Sequence, residues 1–553
     1  MYIAGLAPGA DIDHRGTPFD EPLLRALLGA LRVAPNEQPL LGAAQFDGAL
    51  FKNDANFDEA TFSGKANFDG TTFFGRASFG SAMFAGAARF SATFTGATWF
   101  QGARFFGYAA FYKSTFAEAA WFEKATFNGA AAFTEAKFQG EAQFERARFH
   151  GEATFDRATF EHAAQFSSAL FATQPVLGPL VCKEQVDLSG AVFEAPVTME
   201  IAAREVNCAR TRWASTAALR LRYATVDLSD AVLSAPVAVT FHADSFTSII
   251  GTKRSGSVTT KLVVAVDEST MASTGANPRV RIKSVDGVDA AHLVLTDTDL
   301  TDCRFTGAFH LDQLRIEGNC TFADPPKRWR WTQRRVLAEE HHWRALPPGN
   351  PDPPRGWKPG PHHPKEALTP GPDELASVYR ALRKATEDAK NEPDAVDFYY
   401  GEMEMRRHDR ARPRGERVLL NLYWAVSGYG LRASRALAWL MVAMGLTVVL
   451  LMLLGLPTQS AGQRTTGTLT EGKVITLTTK ARTVGGAAPG PLPDRFSWQR
   501  AERAARTAVN SVVFRSAGQG LTVAGTYIEM ASRLVEPVLL ALVLLAVRGR
   551  VKR

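Results

Sequence analysis

Three charged residues near the end of the chain stand where charge is costly. Glu529, Arg533 and Glu536 are spaced i, i+4 and i+7, so they share one helical face, and they run into the apolar stretch Leu534 to Val547. Charges inside a bilayer cost several kcal/mol unless they are paired and turned away from lipid. The trio is therefore the candidate for joining helices or subunits, or for lining a pore, and Arg533 can pair with either acid. If Arg548 marks the membrane boundary, Glu536 lies about 17 Å inward at about 1.5 Å per residue, near the bilayer midplane. A short, tilted span starting at Leu534 would instead leave Glu529 and Arg533 among the headgroups.

The other reactive residue types do not converge. Cys182, Cys208, Cys303 and Cys320 form no C-x-x-C pair and have no histidine at ligand spacing, a usage that suits a reducing compartment. Cys303 and Cys320 stand two residues before Phe305 and Phe322, the place of a small packing residue. The pairs His341–His342 and His362–His363 lack accompanying acidic or thiol ligands. Gly428 to Ala433, G-Y-G-L-R-A, matches the dinucleotide pattern G-x-G-x-x-A. That pattern needs a βαβ unit with an acid about 20 residues on, and here an apolar span follows. The string reads as a flexible turn. No catalytic residue, metal or cofactor is expected.

The elements behind these residues are dominated by one repeat. The chain holds 36 Phe against 10 Tyr and 10 Trp. Phe46, Phe51, Phe57, Phe62 and Phe68 begin a series that runs through Phe127, Phe133, Phe138, Phe144, Phe149, Phe155 and Phe160 to Phe171, 24 positions in all. Spacings alternate five and six, with one deletion between Phe90 and Phe94. Ala stands two residues before 21 of the 24; the others are Thr71, Thr98 and Ser114. This period fits neither a helix at 3.6 nor a strand at 2. It fits a coil that turns a corner about every five residues, with one large and one small side chain inward per face. Coils about 4.8 Å apart would stack the rings. In eight of the eleven six-residue gaps Gly follows the Phe by two, which predicts a bulge or a left-handed backbone there.

This A-x-F-x-x pattern from Ala44 to Phe171 resembles the pentapeptide-repeat family. The resemblance implies a mainly β protein, a right-handed quadrilateral β-helix. Four faces per coil give six coils, a rod of roughly 29 Å at about 4.8 Å each. The C-terminal region is similar to that of membrane-anchored bacterial members. A role known in the family, mimicry of DNA at a topoisomerase, fits poorly: Ala44 to Phe171 holds 11 Lys and Arg against 13 Asp and Glu, too close to neutral for a duplex mimic.

Residues 1–42 read as an N-terminal segment whose Asp20 caps a helix bearing Leu24, Leu27, Leu28 and Leu31, a cover for the first coil. The regular β-helix follows at 43–174 and a degenerate continuation at 175–325. That continuation repeats V-D-L-S at Val186 and Val226, and it is irregular from Ser245 to Asp289, where a strand pair is expected. A basic then Pro-rich linker occupies 326–372, with ten prolines between Leu346 and Pro372. A helical neck covers 373–417, packing on itself. A membrane-entry segment and first span cover 418–457, an outer loop 458–526, the second span 527–547 and a basic tail 548–553. Ala436 to Leu456 is 21 residues without a charge, and eight arginines from Arg406 to Arg435 precede it against Asp409 and Glu416.

MYIAGLAPGADIDHRG lacks a signal-peptide pattern, so both ends are expected in the cytoplasm of a two-span cell-membrane protein. The expected partners are the lipid bilayer, a protein on a β-helix face and a second copy of the chain; nucleic acid is not expected. The function this predicts is an interaction scaffold. The alternative is a two-span channel or transport protein, with an oxidoreductase or topoisomerase regulator behind it.

Overall fold

A computed structural model describes residues 3–34, 37–255, 258–269, 271, 275, 277–326, 334–345, 356–357, 369–457, 463–470, 474–481, 495–510 and 521–551. Two compact units form, Met1–Glu402 and Met403–Arg553. Most of the Pro-rich linker, with His362 and His363, lies outside the described residues, as do Lys552 and Arg553.

Each inward Phe anchors a two-residue strand that pairs in parallel with its counterpart one turn on. Ala44 pairs with Ala66, Leu50 with Thr72, Ala55 with Ala77 and Thr61 with Met83, one pairing on each of four faces. The result is a parallel β-solenoid of about 12 turns. All 24 repeat Phe are at most 1% exposed. Along each face the rings stack, as for Phe57 on Phe79 at 5.0 Å and 2°, or Phe105 on Phe127 at 4.8 Å and 1°. Around each turn they meet edge to face, as for Phe111 and Phe122 at 5.3 Å and 90°. Both geometries are favourable for a ring quadrupole, at about 0.5–1.5 kcal/mol per pair. The Ala slots are sealed between these columns. Where a hydroxyl replaces Ala it finds a carbonyl: Thr71 Oγ1 donates to Phe46 O at 2.8 Å, and Ser114 Oγ donates to Phe90 O.

The glycines of the six-residue gaps act differently from the expectation. The left-handed residues sit instead in the five-residue gaps, two after Phe, with φ between 55° and 68°. Only Gly48, Gly70 and Gly102 there are glycine; Lys113, Lys124, Glu135, Arg146 and others adopt the same conformation. The shortened Phe90–Phe94 corner is the one that lacks it. Gly in the six-residue gaps serves close approach: a Cβ on Gly86 would lie 2.5 Å from Gly64 O, and one on Gly107 2.6 Å from Gly86 O.

The solenoid also begins earlier than the repeat. Ile12–Asp13 pairs with Ala44–Gln45, Pro18–Phe19 with Leu50–Phe51, and Leu40–Leu41 with Thr61–Phe62. Helix α1 (Glu21–Ala30) replaces the remaining side of this first turn. Asp20 Oδ1 accepts from Leu23 N at 2.9 Å, and Leu24, Leu27, Leu28 and Leu31 are buried. Residues 1–42 are thus the first turn as well as its cover.

Beyond Phe171 the coil continues with smaller fillers. Phe193 stacks on Phe171 at 4.8 Å and Trp213 on Phe193 at 4.6 Å. Cys182 takes the place facing Phe160. The strands Val176–Asp187 and Val197–Asn207 run straight through a corner and merge two faces. The irregular stretch contains an antiparallel pair, Thr247–Ser255 with Val258–Ala265. Its base is tied down by Arg222 Nε on Glu268 Oε2 at 2.7 Å, both nearly sealed from solvent.

Three helices close the far end: α2 (Ala338–Ala345), α3 (Pro372–Asp388) and the start of α4 (Glu392–His408). Phe398 packs edge-on against Phe322 at 5.0 Å, and Lys384 pairs with Asp312 at 2.7 Å. The expected neck is therefore largely a cap on the solenoid. Residues 334–345, assigned above to the linker, belong to it.

In the second unit α5 (Arg414–Ser427) precedes α6 (Ala433–Leu450), which ends in a π-helical turn, Leu451–Gly455. The loop expected at 458–526 contains antiparallel strands, Gln463–Thr470 and Val474–Ala481, and helix α7 (Trp498–Val509). Helix α8 (Val523–Val551) follows. Ala433–Gly455 and Val523–Val547, 23 and 25 residues with mean hydropathies of 2.6 and 2.0, are long and apolar enough to cross a membrane. The second begins well before Leu534, so Glu529 and Arg533 stand within it.

Ala147→Leu overfills a sealed slot and should lower stability by about 3 kcal/mol or more, at or above the usual overpacking range. Gly107→Ala should also destabilise, by pressing on the coil beneath. Arg148→Ala, at an exposed position, should leave the thermal melt nearly unchanged. Equal losses at inward and outward positions would contradict this register.

Candidate functional site

The two long apolar helices bring the sequence-predicted charges together on their shared side. Gly455 and Gly525 let the two backbones meet: a Cβ on Gly525 would lie 2.5 Å from Gly455 O. Thr522 Oγ1 donates to Leu454 O at 2.6 Å. Further along, Glu529 and Glu536 are 6% and 1% exposed. Arg533 Nη2 pairs with Glu529 Oε1 at 2.9 Å. Glu536 Oε1 instead accepts from Thr447 Oγ1 on α6 at 2.6 Å. Sequence reasoning passed over Thr447, although it is the only hydroxyl between Ala436 and Leu456. It also passed over Arg500 on α7, whose guanidinium donates to Met452, Leu456 and Pro457 carbonyls at 2.8 to 3.2 Å and so caps the first apolar helix. Chemically the arrangement is a polar tie between two apolar helices.

The densest buried ionisable cluster lies in the solenoid's cap. Glu340 is fully buried and receives Arg334, the Tyr379 hydroxyl and Arg344 Nε, the last at 2.7 Å. Burial alone would raise its pKa, but the two guanidiniums and the hydroxyl hold it down at about 2. Burial pushes neighbouring Glu339 above the ordinary carboxylate range, against backbone N–H donors from Phe305 and from Thr306 at 3.0 Å. The Glu339 contacts pin the cap to the last coils, and those of Glu340 hold the cap's own segments together.

All four cysteines are buried free thiols, and burial pushes Cys182 up to about 12, away from the thiolate that reaction or ligation needs. Among the described residues no three His, Cys, Asp or Glu side chains gather as a metal group. Gly428, Tyr429 and Gly430 take φ of 55°, 60° and 75° in a tight helix–helix turn, with the Tyr429 hydroxyl on Glu404 at 3.0 Å. That turn is packed rather than flexible, and no strand precedes it.

The solenoid's outside carries the second candidate. Every outward aromatic between Ala44 and Phe171 falls between Phe74 and Trp121, a belt of roughly two turns. Phe74, Phe106, Tyr108 and Tyr112 are 39–54% exposed. Trp99 and Trp121 stack at 4.7 Å with Arg76 over Trp99. Beside them runs a groove of about 750 Å³ lined by Asp54, Asp58, Glu59, Arg76 and Lys124.

Fold and surface together define a β-solenoid protein with two helices fit to span a membrane and no assembled catalytic centre among the described residues. The family model for pentapeptide repeats matches residues 46–93 and 122–170, in nine copies. Those residues of the chain are pentapeptide repeats. No curated protein and no solved structure matches it.

Two predictions follow from these contacts. Glu340→Gln leaves Arg334 and Arg344 without their buried counter-charge and should cost about 3–5 kcal/mol near neutral pH. Because its folded pKa is depressed, the stability Glu340 supplies is present above about pH 5 and lost as pH falls toward 2, so the variant's acid melt should be flatter. Glu339→Gln, at a raised group, should cost far less. In the second unit, Thr447→Val and Glu536→Gln should each loosen the helix pair, and the double variant should lose less than the sum. Full additivity in a detergent unfolding titration would show the two side chains do not interact.

Proposed function

We propose that this protein is a membrane-held interaction scaffold that presents its solenoid to a protein partner in the cytoplasm. The observation that carries the reading is the aromatic belt. The repeat requires inward Phe only, so the motif does not call for six outward aromatics confined to about two turns; Trp99 and Trp121 stack between successive coils, and Phe74, Phe106, Tyr108 and Tyr112 stand exposed. Aromatic residues and arginine are the side chains that most often dominate protein interfaces. That orientation is supported by the basic flank before α6 and by Arg548 and Arg550 in the last turns of α8, both of which favour the cytoplasmic side. The pore alternative draws no support from Glu536, which is sealed against Thr447 rather than facing an open path.

The test is site-specific photocrosslinking in native membranes. A crosslinking amino acid at Tyr108 should yield a discrete protein adduct, and one at the outward position Gln165, beyond the belt, should not. Adducts of equal yield from both positions, or none from Tyr108, would overturn the belt as the binding surface.

A further inference from the structure

Helix α5 is far more apolar than its burial explains. Its sequence, RGERVLLNLYWAVS, is apolar through most of its second half, yet Ser427 is its only buried residue. Val418, Leu419 and Leu422 are 58%, 66% and 57% exposed and cluster on one face. A helix of 14 residues is marginal alone in water, so such a face needs cover.

Where that cover comes from follows from how α5 is held. The three left-handed residues Gly428, Tyr429 and Gly430 redirect the chain, so α5 does not run on into α6. Its C-terminal carbonyls are bound by the first turns of α6: Arg435 Nη1 donates to Trp424 O at 2.9 Å and Trp439 Nε1 to Ala425 O at 3.2 Å. The Trp424 ring has guanidiniums over it from Arg407 at 4.5 Å and Arg435 at 5.0 Å. Helix α5 is therefore locked to the end of an apolar helix long enough to cross a bilayer, the level of the bilayer–water boundary. The surrounding segment is basic, and Arg410 and Arg414 are exposed.

We infer that α5 is an interfacial helix. Val418, Leu419 and Leu422 enter the acyl boundary of the membrane, and the arginines around them meet the phosphates of anionic phospholipid. This rests on the reading that α6 crosses the membrane, and the two can be tested separately.

The experiment uses the full chain reconstituted in vesicles of phosphatidylcholine and phosphatidylglycerol. Nitroxide is placed on Leu419→Cys, on Leu446→Cys in α6 and on Lys137→Cys of the solenoid; the four native thiols are buried. Collision with oxygen is compared with collision with a water-soluble nickel chelate. The inference requires Leu419→Cys to be oxygen-accessible and nickel-shielded, like Leu446→Cys and unlike Lys137→Cys. A nickel-accessible Leu419→Cys beside an oxygen-accessible Leu446→Cys overturns the interfacial helix and leaves the span standing. Shielding of Leu419→Cys from both reagents also overturns it, because a second copy or another protein then covers the face. A nickel-accessible Leu446→Cys removes the span itself and the inference with it.

Discussion

The structure depends on the spacing at which one phenylalanine ring can lie over another. Backbone pairing sets successive coils about 4.8 Å apart, and flat rings stack at that same distance. Four columns of Phe thus satisfy hydrogen bonding and ring contact at once, as in the 4.7–5.2 Å repeats from Phe46 to Phe171. With the axis filled, only a small side chain fits two residues earlier, and strands shrink to two residues between corners. Corners then carry the strain. Lys113, Glu135 and Arg157 hold left-handed backbones that cost about 1 kcal/mol or more each, and the packed columns over-determine them.

A coil of this kind offers unpaired backbone at both ends, which invites other chains to add on. The two ends are closed by different means. At the start an apolar helix stands in for one side of the square, with Asp20 supplying its cap. At the far end Leu, Cys and Val fill most inward places beside Phe305 and Phe322, and the cap adheres where Glu339 accepts the Phe305 and Thr306 N–H groups and where Phe398 packs on Phe322. A fully buried Glu340 is tolerable only because Arg334, Arg344 and Tyr379 satisfy it together. Such a set demands one geometry and so holds the cap's own segments, residues 334–345 and α3, together.

The second unit solves a related problem between two apolar helices. Away from water a polar group needs an internal partner. Glu529 takes Arg533 from its own helix, Glu536 takes Thr447 from the other, and Arg500 serves carbonyls at the end of α6. The close passage of Gly455 and Gly525 brings the backbones near enough for these short ties to form.

What the sequence by itself determined was everything that repeats or accumulates locally. The A-x-F-x-x period specifies the coil and its inward set, because each repeat meets only its neighbours and the same contact recurs, and the family resemblance implies its four faces. Asp20 and four leucines on one stripe specify α1, and apolar length marks the two helices fit to span a membrane. Tertiary structure alone decided what depends on single contacts between distant residues. Gly86 and Gly107 are required by the coil beneath rather than by their own backbone angles. Ile12 and Phe19 join the solenoid without the motif, because pairing to Ala44 and Phe51 needs only a strand of the right register. Residues 334–345 look like linker until Tyr379 and Phe305 are placed beside them. Thr447 and Glu536, 89 positions apart, share no period that could announce their bond. A repeat can be read because its partners are always the same distance away; a solitary partner is defined only once the chain has folded.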